Sequence, residues 1–359
     1  MTIRCPRLDQ LPPPPPGKTD WPWTEEAPQL PDTMPDGQPW PRLSIITPSY
    51  NQARFLEETI RSVLLQGYPN LEYIVIDGGS TDASVEIIRK YADWITFWES
   101  VPDRGQSHAV NKGLAKATGE FVAWLNSDDI YLPDAFRRAV SELCRRPKVA
   151  LLYTDGLWIN EVGRHLKIQT SGPHDARRLL TSSEYGIPQP TAFMRRAAMQ
   201  SVGGLDETLH MAMDLDLWVK LALRYDLHYV AGKPIAALRF HTSQKTQTRV
   251  FEGWIADLYV FDRALHDPLC PLGVQVKGNR AYARLCRELA LLYFRERRDL
   301  RHGLKYFMLA GRSHLSDTIY QTMYFLTVRT YRAVVPPPIQ TLLRRMRGTE
   351  AARLADLGY

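Results

Sequence analysis

Long apolar runs are missing from this 359-residue chain. No stretch reaches the roughly 18 apolar residues that a membrane-crossing helix needs, and Met1 to Gly17 lacks the apolar centre of a signal peptide. Both absences argue against a membrane-spanning protein. Cysteine is scarce as well. Cys5, Cys144, Cys270 and Cys286 show no C-x-x-C spacing, which fits neither a zinc site nor a disulfide framework. Reduced thiols in a cytoplasmic protein are expected. No internal repeat is evident in the middle of the chain.

Hydrophobic residues make up 44% of the sequence, enough for a real core without staples. The net charge of +6 is unevenly distributed. From Pro271 to Tyr359 there are 16 Lys and Arg against 6 Asp and Glu, and everything before holds 29 against 33. A basic helical tail favours phospholipid head groups or nucleic acid. The alternative is arginine that merely solvates helix faces.

Proline separates three regions. Residues 1–41 hold 12 of the 26 prolines, including Pro12 to Pro16, and predict a polyproline-like leader, draped or disordered. A proline-binding partner is the less favoured use of it. Residues 42–248 alternate apolar runs with amphipathic stretches, and residues 249–359 read as basic helices.

In the middle region, Leu43 to Thr47 predicts a strand stopped by Pro48. Asn51 then caps a helix with apolar positions Phe55, Leu56, Ile60, Val63 and Leu64. Leu71 to Ile76 predicts a second strand ending in Asp77-Gly78-Gly79-Ser80-Thr81-Asp82, with Thr81 or Asp82 capping the next helix. Trp94 to Trp98 and Phe121 to Leu125 supply two more strands. This rhythm predicts an α/β fold built on a mostly parallel sheet with right-handed crossovers. Asn126-Ser127-Asp128-Asp129 then places two carboxylates at the tip of a buried strand, where open α/β sheets bind ligands. Turn residues at four successive strand tips point to a nucleotide site. Paired carboxylates there suit a hard divalent cation bridging protein to a diphosphate.

The motifs Thr47-Pro48-Ser49-Tyr50-Asn51-Gln52, Asp77 to Asp82, Asp103 to Gly113, Asn126 to Asp129 and Met213-Asp214-Leu215-Asp216-Leu217-Trp218, in this order, resemble the inverting family-2 glycosyltransferases of the GT-A fold. The resemblance covers residues 42–245. It implies a Rossmann-like sheet with helices on both faces, here followed by a C-terminal helical extension. It implies that Thr47, Ser49 and Tyr50 line the base and ribose of a nucleotide-sugar donor, with Asp77 accepting from the base's ring N–H. Asp128 would touch the ribose, and Asp129 would ligate Mg or Mn. Arg104, Gln106, Asn111 and Lys112 fall in the donor-binding motif, and His241 is a candidate second metal or diphosphate ligand. Gln189 lies in a segment resembling the acceptor side.

Inverting transfer needs one carboxylate to take the acceptor hydroxyl's proton. Asp214 is the candidate, with Asp216 as runner-up. Met213 stands where an acidic residue often precedes the base, and His108 where this subgroup commonly has Asp. The Q-x-x-R-W signature of processive synthases is missing, so single addition is expected. The implied partners are a nucleotide-sugar donor, a UDP-sugar by preference, and a glycan or lipid-linked acceptor, as in bacterial surface-polysaccharide assembly. Beyond Arg249, Ala281 to Arg312 reads as a helical hairpin, with Leu285, Leu289, Leu292 and Tyr293 facing Leu304, Phe307, Met308 and Ala310. Ile319 to Val335, closed by Pro336 to Pro338, suggests docking on the inner face of an anionic membrane rather than on nucleic acid. A nucleotidyltransferase and a non-catalytic scaffold remain the alternatives.

Overall fold

The computed structural model describes residues 3–181, 186–242 and 244–313. The expected membrane-docking segment, residues 319–338, lies outside the described residues. The chain divides into two compact units, Met1–Gly278 and Asn279–Tyr359.

In the first unit, β1 (Leu43–Ser49), α1 (Ala53–Leu64), β2 (Leu71–Asp77), α2 (Ser84–Lys90), β3 (Phe97–Ser100), α3 (Gln106–Lys116) and β4 (Phe121–Trp124) follow the expected alternation. Next come β5 (Ile130–Tyr131), α4 (Ala135–Arg145), β6 (Val149–Thr154), β7 (Gly156–Ile159), β8 (His165–Gln169), α5 (Ala176–Thr181), β9 (Phe193–Arg195) and α6 (Arg196–Ser201). The remaining elements are α7 (Met213–Ala222), β10 (Asp226–Val230), β11 (Ala236–Arg239), α8 (Lys245–Thr248), α9 (Val250–Leu265), α10 (Leu272–Leu292) and α11 (Leu300–Ser313).

The main sheet has the order β10-β6-β9-β4-β1-β2-β3. Its pairs are parallel except for β9, which runs antiparallel between β4 and β6. Such a sheet is covered on both faces, so β1, β2 and β4 are wholly buried, with only Ser44, Thr47, Ser49, Glu72 and Asp77 as side-chain polar residues among their apolar and proline positions. Helix α3 lies so close that a Cβ at Gly113 would stand 2.4 Å from Ile46 Cγ2.

Pro48 does not stop β1, which stays in register with β2 through Ser49 and Asp77. Ser49 C=O points to the β2 side and Ile46 C=O to the β4 side. Pro48 nitrogen therefore faces β4, whose pairing with β1 has already ended at Ile46–Trp124. No ladder bond is lost, so proline is tolerated in a central strand. The third strand also begins later than expected, because Ala92–Trp94 forms a 3₁₀ turn and pairing starts when Thr96 N–H donates to Tyr73 C=O.

A second sheet, β5-β11-β7-β8, was not legible in the sequence. Its strands are short and come from distant segments.

The leader is ordered and packed. Ile3 and Leu71 exchange backbone hydrogen bonds, and Cys5, Leu11, Trp23, Ala27 and Trp40 are buried. Arg61 of α1, itself fully buried, donates to the carbonyls of Pro12, Pro22 and Trp23 and to Tyr91 Oη. Proline-rich backbone has few N–H donors and many free carbonyls, and one guanidinium collects three of them. Burial pushes the Cys5 thiol up to about 12. The sheet-bearing unit continues past residue 248, through α9, to Gly278.

In the second unit the hairpin forms with Leu289 and Ala310 buried as expected, but the rest of the α11 face differs. Gly303, Tyr306 and Ala310 of α11 are buried, Tyr293 stacks on Tyr306 at 5.4 Å, and Leu304 and Met308 are exposed. A Cβ at Gly303 would stand 2.3 Å from Phe294 Cε1, and that close approach turns the glycine side inward.

Candidate active site

The tips of β1 and β2 are tied to each other. Asp77 is fully buried at the end of β2, and its carboxylate accepts from Gly79 N–H (3.1 Å), Ser80 N–H (2.8 Å), Ser80 Oγ (2.5 Å) and Ser100 Oγ (2.7 Å). Four donors from its own surroundings occupy the group expected to meet a base, so in this structure Asp77 shapes the tip. Asp82 Oδ2 accepts from Ala53 N–H and its Oδ1 from Ser84 N–H. Asp82, not Asn51, thus satisfies the first turn of α1. Asn51 instead takes a left-handed conformation and accepts from Thr81 N–H.

Thr47 is fully buried with Oγ1 3.1 Å from Tyr73 Oη, a supporting position beneath the site. Ser49 Oγ is buried without a hydrogen-bond partner among the described residues, and Tyr50 is 61% exposed. Those two side chains are the ones left over for a ligand at this tip.

At the β4 tip both carboxylates of the pair are engaged by protein partners. Asp129 is buried, with Oδ1 accepting from Arg239 N–H at 2.9 Å and Oδ2 from Asn126 Nδ2 at 3.4 Å. Burial, followed by the neighbouring Asp128 charge, raises its carboxyl well above the ordinary carboxylate range. Both oxygens serve the protein. Asp128 is more open, and its Oδ2 lies 3.0 Å from Nε2 of the buried His241. His241 also packs on the Phe55 ring at 5.0 Å.

Arg239 joins these parts. Its guanidinium is fully buried, donates to the carbonyls of Asp128, Asn160 and Glu161, and pairs with Glu58 at 2.9 Å. Arg239→Met is expected to leave Glu58 uncompensated and to cost on the order of 3 kcal/mol, read as a lowered denaturant midpoint.

The loop before α3 reaches the same place. Gln106 Nε2 donates to Asn126 Oδ1 (2.6 Å), Lys245 Nζ lies 3.4 Å from Gln106 Oε1, and Asn126 Nδ2 donates to Gln189 Oε1 (3.1 Å). Gln189 in turn donates to Trp124 C=O. Gln106, Asn126, Gln189 and Lys245 therefore converge. Arg104 instead pairs with Glu207, Lys112 with Glu99 at 2.5 Å, and Asn111 clamps both backbone groups of Leu205. These three residues hold the loop and α3 to their neighbours. His108 Nδ1 accepts from Arg104 N–H.

Helix α7 separates the two carboxylates weighed as base. Asp216 is 1% exposed and pairs with Arg263 of α9 and with Lys220 at 3.1 Å. Asp214 has no cation partner among the described residues, and its Oδ1 accepts only from Leu215 N–H (2.9 Å). Burial raises its carboxyl above the usual carboxylate range. One turn on, on the same helix face, Trp218 stacks on Trp124 at 5.5 Å. Asp214 thus lies one helical turn before a residue stacked on the last residue of β4. Met213 Sδ sits against Ser107 Oγ, an internal contact in place of an acidic neighbour. A separate cavity of ≈ 120 Å³ against α4, lined partly by Arg138, Thr154 and Val230, contains none of these groups.

The sequence profile of glycosyl transferase family 2 matches residues 44–203. An uncharacterized glycosyltransferase of Mycobacterium tuberculosis (strain ATCC 25618 / H37Rv) is 30% identical over 185 residues, covering 51% of this chain and 70% of that protein. The chain belongs to glycosyl transferase family 2. A second uncharacterized glycosyltransferase, from Rickettsia typhi, is 29% identical over 58% of this chain and 67% of its own. Among solved structures, S. aureus TarS 1-349 in complex with UDP-GlcNAc superposes with a TM-score of 0.53 at 17% identity, covering 76% of this chain and 91% of TarS 1-349. The mannosyltransferase PcManGT from Pyrobaculum calidifontis, in complex with GDP-Man and Mn2+, gives 0.53 at 21% identity, covering 93% and 91%. At such identities these two structures establish the GT-A fold.

Three residues of this glycosyltransferase carry more of the site than their sequence context suggested. Asn126 was legible as part of its motif but not as the hub joining three segments. Arg239 ends β11 and Lys245 begins α8, a segment remote in sequence from the β4 tip. The basic strand end Arg239 to Lys245 was the available signal.

Proposed function

We propose that this protein is an inverting, single-addition glycosyltransferase moving a sugar from a nucleotide-diphosphate sugar, a UDP-sugar by preference, to a hydroxyl of a glycan or lipid-linked acceptor. The observation that carries this reading is Asp214. It is a carboxylate without a cation partner among the described residues, raised by burial, one turn from the Trp218–Trp124 stack. A base whose affinity for protons lies nearer the working pH takes the acceptor proton more effectively. Ser49 and Tyr50 would meet the base and ribose, with Asp77 holding the tip on which they stand.

The side chains fit a divalent cation at Asp128 and His241. Two adjacent ligands, each about 2.1 Å from one ion, stand about 3.0 Å apart, and Asp128 Oδ2 and His241 Nε2 are separated by 3.0 Å. Among the described residues no group of three His, Cys, Asp or Glu side chains could hold an ion. Diphosphate oxygens and water would complete the shell, as hard cations at phosphate sites commonly allow. When bound, Mg or Mn would neutralise charge developing on the leaving diphosphate. Asn126, Gln106 and Gln189 order the strand-tip wall beside that point, and Asp129 and Arg239 keep Asp128 in place.

Calorimetry of UDP-, GDP- and dTDP-sugars with and without Mn tests the reading. Metal-dependent binding of one nucleotide class supports it, and absence of binding to all of them refutes it.

No helix among the described residues is long and apolar enough to cross a membrane. Peripheral contact is still part of the proposal, because the exposed stripe Leu300, Leu304, Phe307 and Met308 of α11 is flanked by Arg301, Lys305 and Arg312, with no carboxylate in the helix. Leu304→Glu together with Met308→Glu is expected to abolish flotation with phosphatidylglycerol vesicles. Unchanged flotation would remove this part.

A further inference from the structure

Around β7 and the end of β11 the second sheet has one buried side and one open side. Leu157, Ile159 and Ala237 form its buried face with Ile130. On the opposite face the strand register aligns Leu238 with Trp158 and Trp158 with Lys167. Directly paired residues share a face, so these three form one row across β11, β7 and β8. Phe240 extends the row. It lies two residues past Leu238, its N–H donates to Ile159 C=O at 2.7 Å, and its ring meets Trp158 at 5.8 Å with planes 32° apart. Phe240 is 36% exposed and Trp158 and Leu238 are half-buried, so the row is an apolar strip in contact with solvent.

The strip is fixed, and it lies on the face of β11 opposite Arg239 and His241, joined to the strand-tip site through the chain. Trp158 Nε1 donates to Gln169 Oε1 at 2.8 Å, which sets the indole, and Lys167 Nζ lies 4.6 Å from the ring centroid. Phe240 sits in sequence between Arg239, which donates to the Asp129 carboxylate and to the Asp128 backbone carbonyl, and His241, which faces Asp128. At the other end a Cβ on Gly156 would stand 2.7 Å from Leu238 Cδ1 and 2.8 Å from Pro188 Cβ, and Pro188 precedes Gln189. Chain continuity therefore joins the strip to the site at two points.

Its charge is one-sided. Arg164 and Lys167 have no ion-pair partner among the described residues and are exposed, whereas Glu161, the acidic residue of the same hairpin, is paired with Arg54 at 2.6 Å. We propose that Trp158 and Phe240 form a stacking platform for a sugar ring of the acceptor, and that Lys167 and Arg164 select an acceptor glycan carrying negative charge. Pyranose rings present an apolar C–H face to aromatic side chains, and a cation beside the ring supplies the polar contact that orients such ligands. The proposal rests on the glycosyltransferase reading and adds an acceptor class to it.

The test uses the full chain with indole 15N labelling, assigning Trp158 from the Trp158→Phe variant. The probes are hyaluronan and galacturonate oligosaccharides for carboxylates, a phosphorylated mannan oligosaccharide for phosphate, and a cello-oligosaccharide as the neutral control. At least one acidic probe is expected to shift the Trp158 indole signal and to bind about 10-fold more tightly than the neutral one. Phe240→Ala should remove that binding, and Lys167→Ala should bring the acidic probe down to the neutral level. The source of negative charge is read from which acidic probe responds. The proposal is overturned if no probe shifts the signal, if neutral and acidic probes bind equally, or if Phe240→Ala only lowers the melting temperature and leaves binding intact. Nucleotide-sugar calorimetry on the same samples keeps the two failures apart. Loss of donor binding in the unaltered chain would count against the function itself, whereas normal donor binding without glycan binding would count against the platform alone.

Discussion

Asp214→Asn is expected to lower kcat by roughly 10²–10⁴-fold while nucleotide-sugar affinity stays unchanged, measured by donor calorimetry beside product formation. Asparagine preserves size and can still accept from Leu215 N–H, so the start of α7 should be undisturbed. What disappears is the proton acceptor. The pH profile gives a second check. Burial raises the Asp214 carboxyl, and the base works only when deprotonated. Activity should therefore fall as pH drops through an apparent pKa above the ordinary carboxylate value of about 4, and the acid limb should vanish from the residual rate of the variant. Asp216→Asn should behave differently. Arg263 and Lys220 would lose their shared buried partner, at a cost of about 2 kcal/mol once the partial exposure of Arg263 is allowed for. The result would be a less stable enzyme with the same acid limb. Equal loss of kcat in both variants at full folding would refute the assignment.

Asp128→Asn, with His241→Ala as its companion, is expected to weaken metal-dependent donor binding by about 100-fold or more, since each would remove one of the two protein ligands proposed for the cation. Manganese electron paramagnetic resonance with UDP present would report the loss without any need for turnover. Asp129 supplies the contrast. Its oxygens hold Arg239 N–H and Asn126, so Asp129→Ala leaves a buried backbone donor unpaired and should cost about 2 kcal/mol. Asp129→Asn can still accept from Arg239 and should bind metal and donor nearly as the unaltered chain does. If Asp129→Asn loses manganese and Asp128→Asn keeps it, Asp129 is the metal ligand and Asp128 is not.

The adjacent pair Asp128-Asp129 shows how far local reading reaches. Two carboxylates after the apolar run Phe121 to Leu125 were enough to place a charged strand tip. They were not enough to say which one faces outward, because the partners that decide it are remote. Arg239 lies 110 residues from Asp129, and His241 lies 113 residues from Asp128. Asp214 and Asp216 pose the same problem. Helical spacing places them on different faces, but Arg263, which neutralises Asp216, comes from α9.

For the proline-rich leader, the alternative of disorder does not hold, for a related reason. Its composition has no periodicity, yet Trp23, Trp40 and Cys5 are anchors, and the guanidinium that collects its carbonyls belongs to Arg61 of α1. The C-terminal hairpin was legible as two helices. Its inner face was not, since close packing at Gly303 outweighed the larger apolar side chains, which face outward.

By itself the sequence determined the alternation of strands and helices, the parallel main sheet, the polar strand tips and the family. These follow from patterns that repeat within a few residues, where hydrophobic periodicity and turn chemistry act directly. Tertiary structure alone decided the second sheet, the buried state of Asp129, the pairing of Asp128 with His241 and the isolation of Asp214. Each of these depends on desolvation and on partners brought together from distant segments, and neither is expressed in the local order of residues.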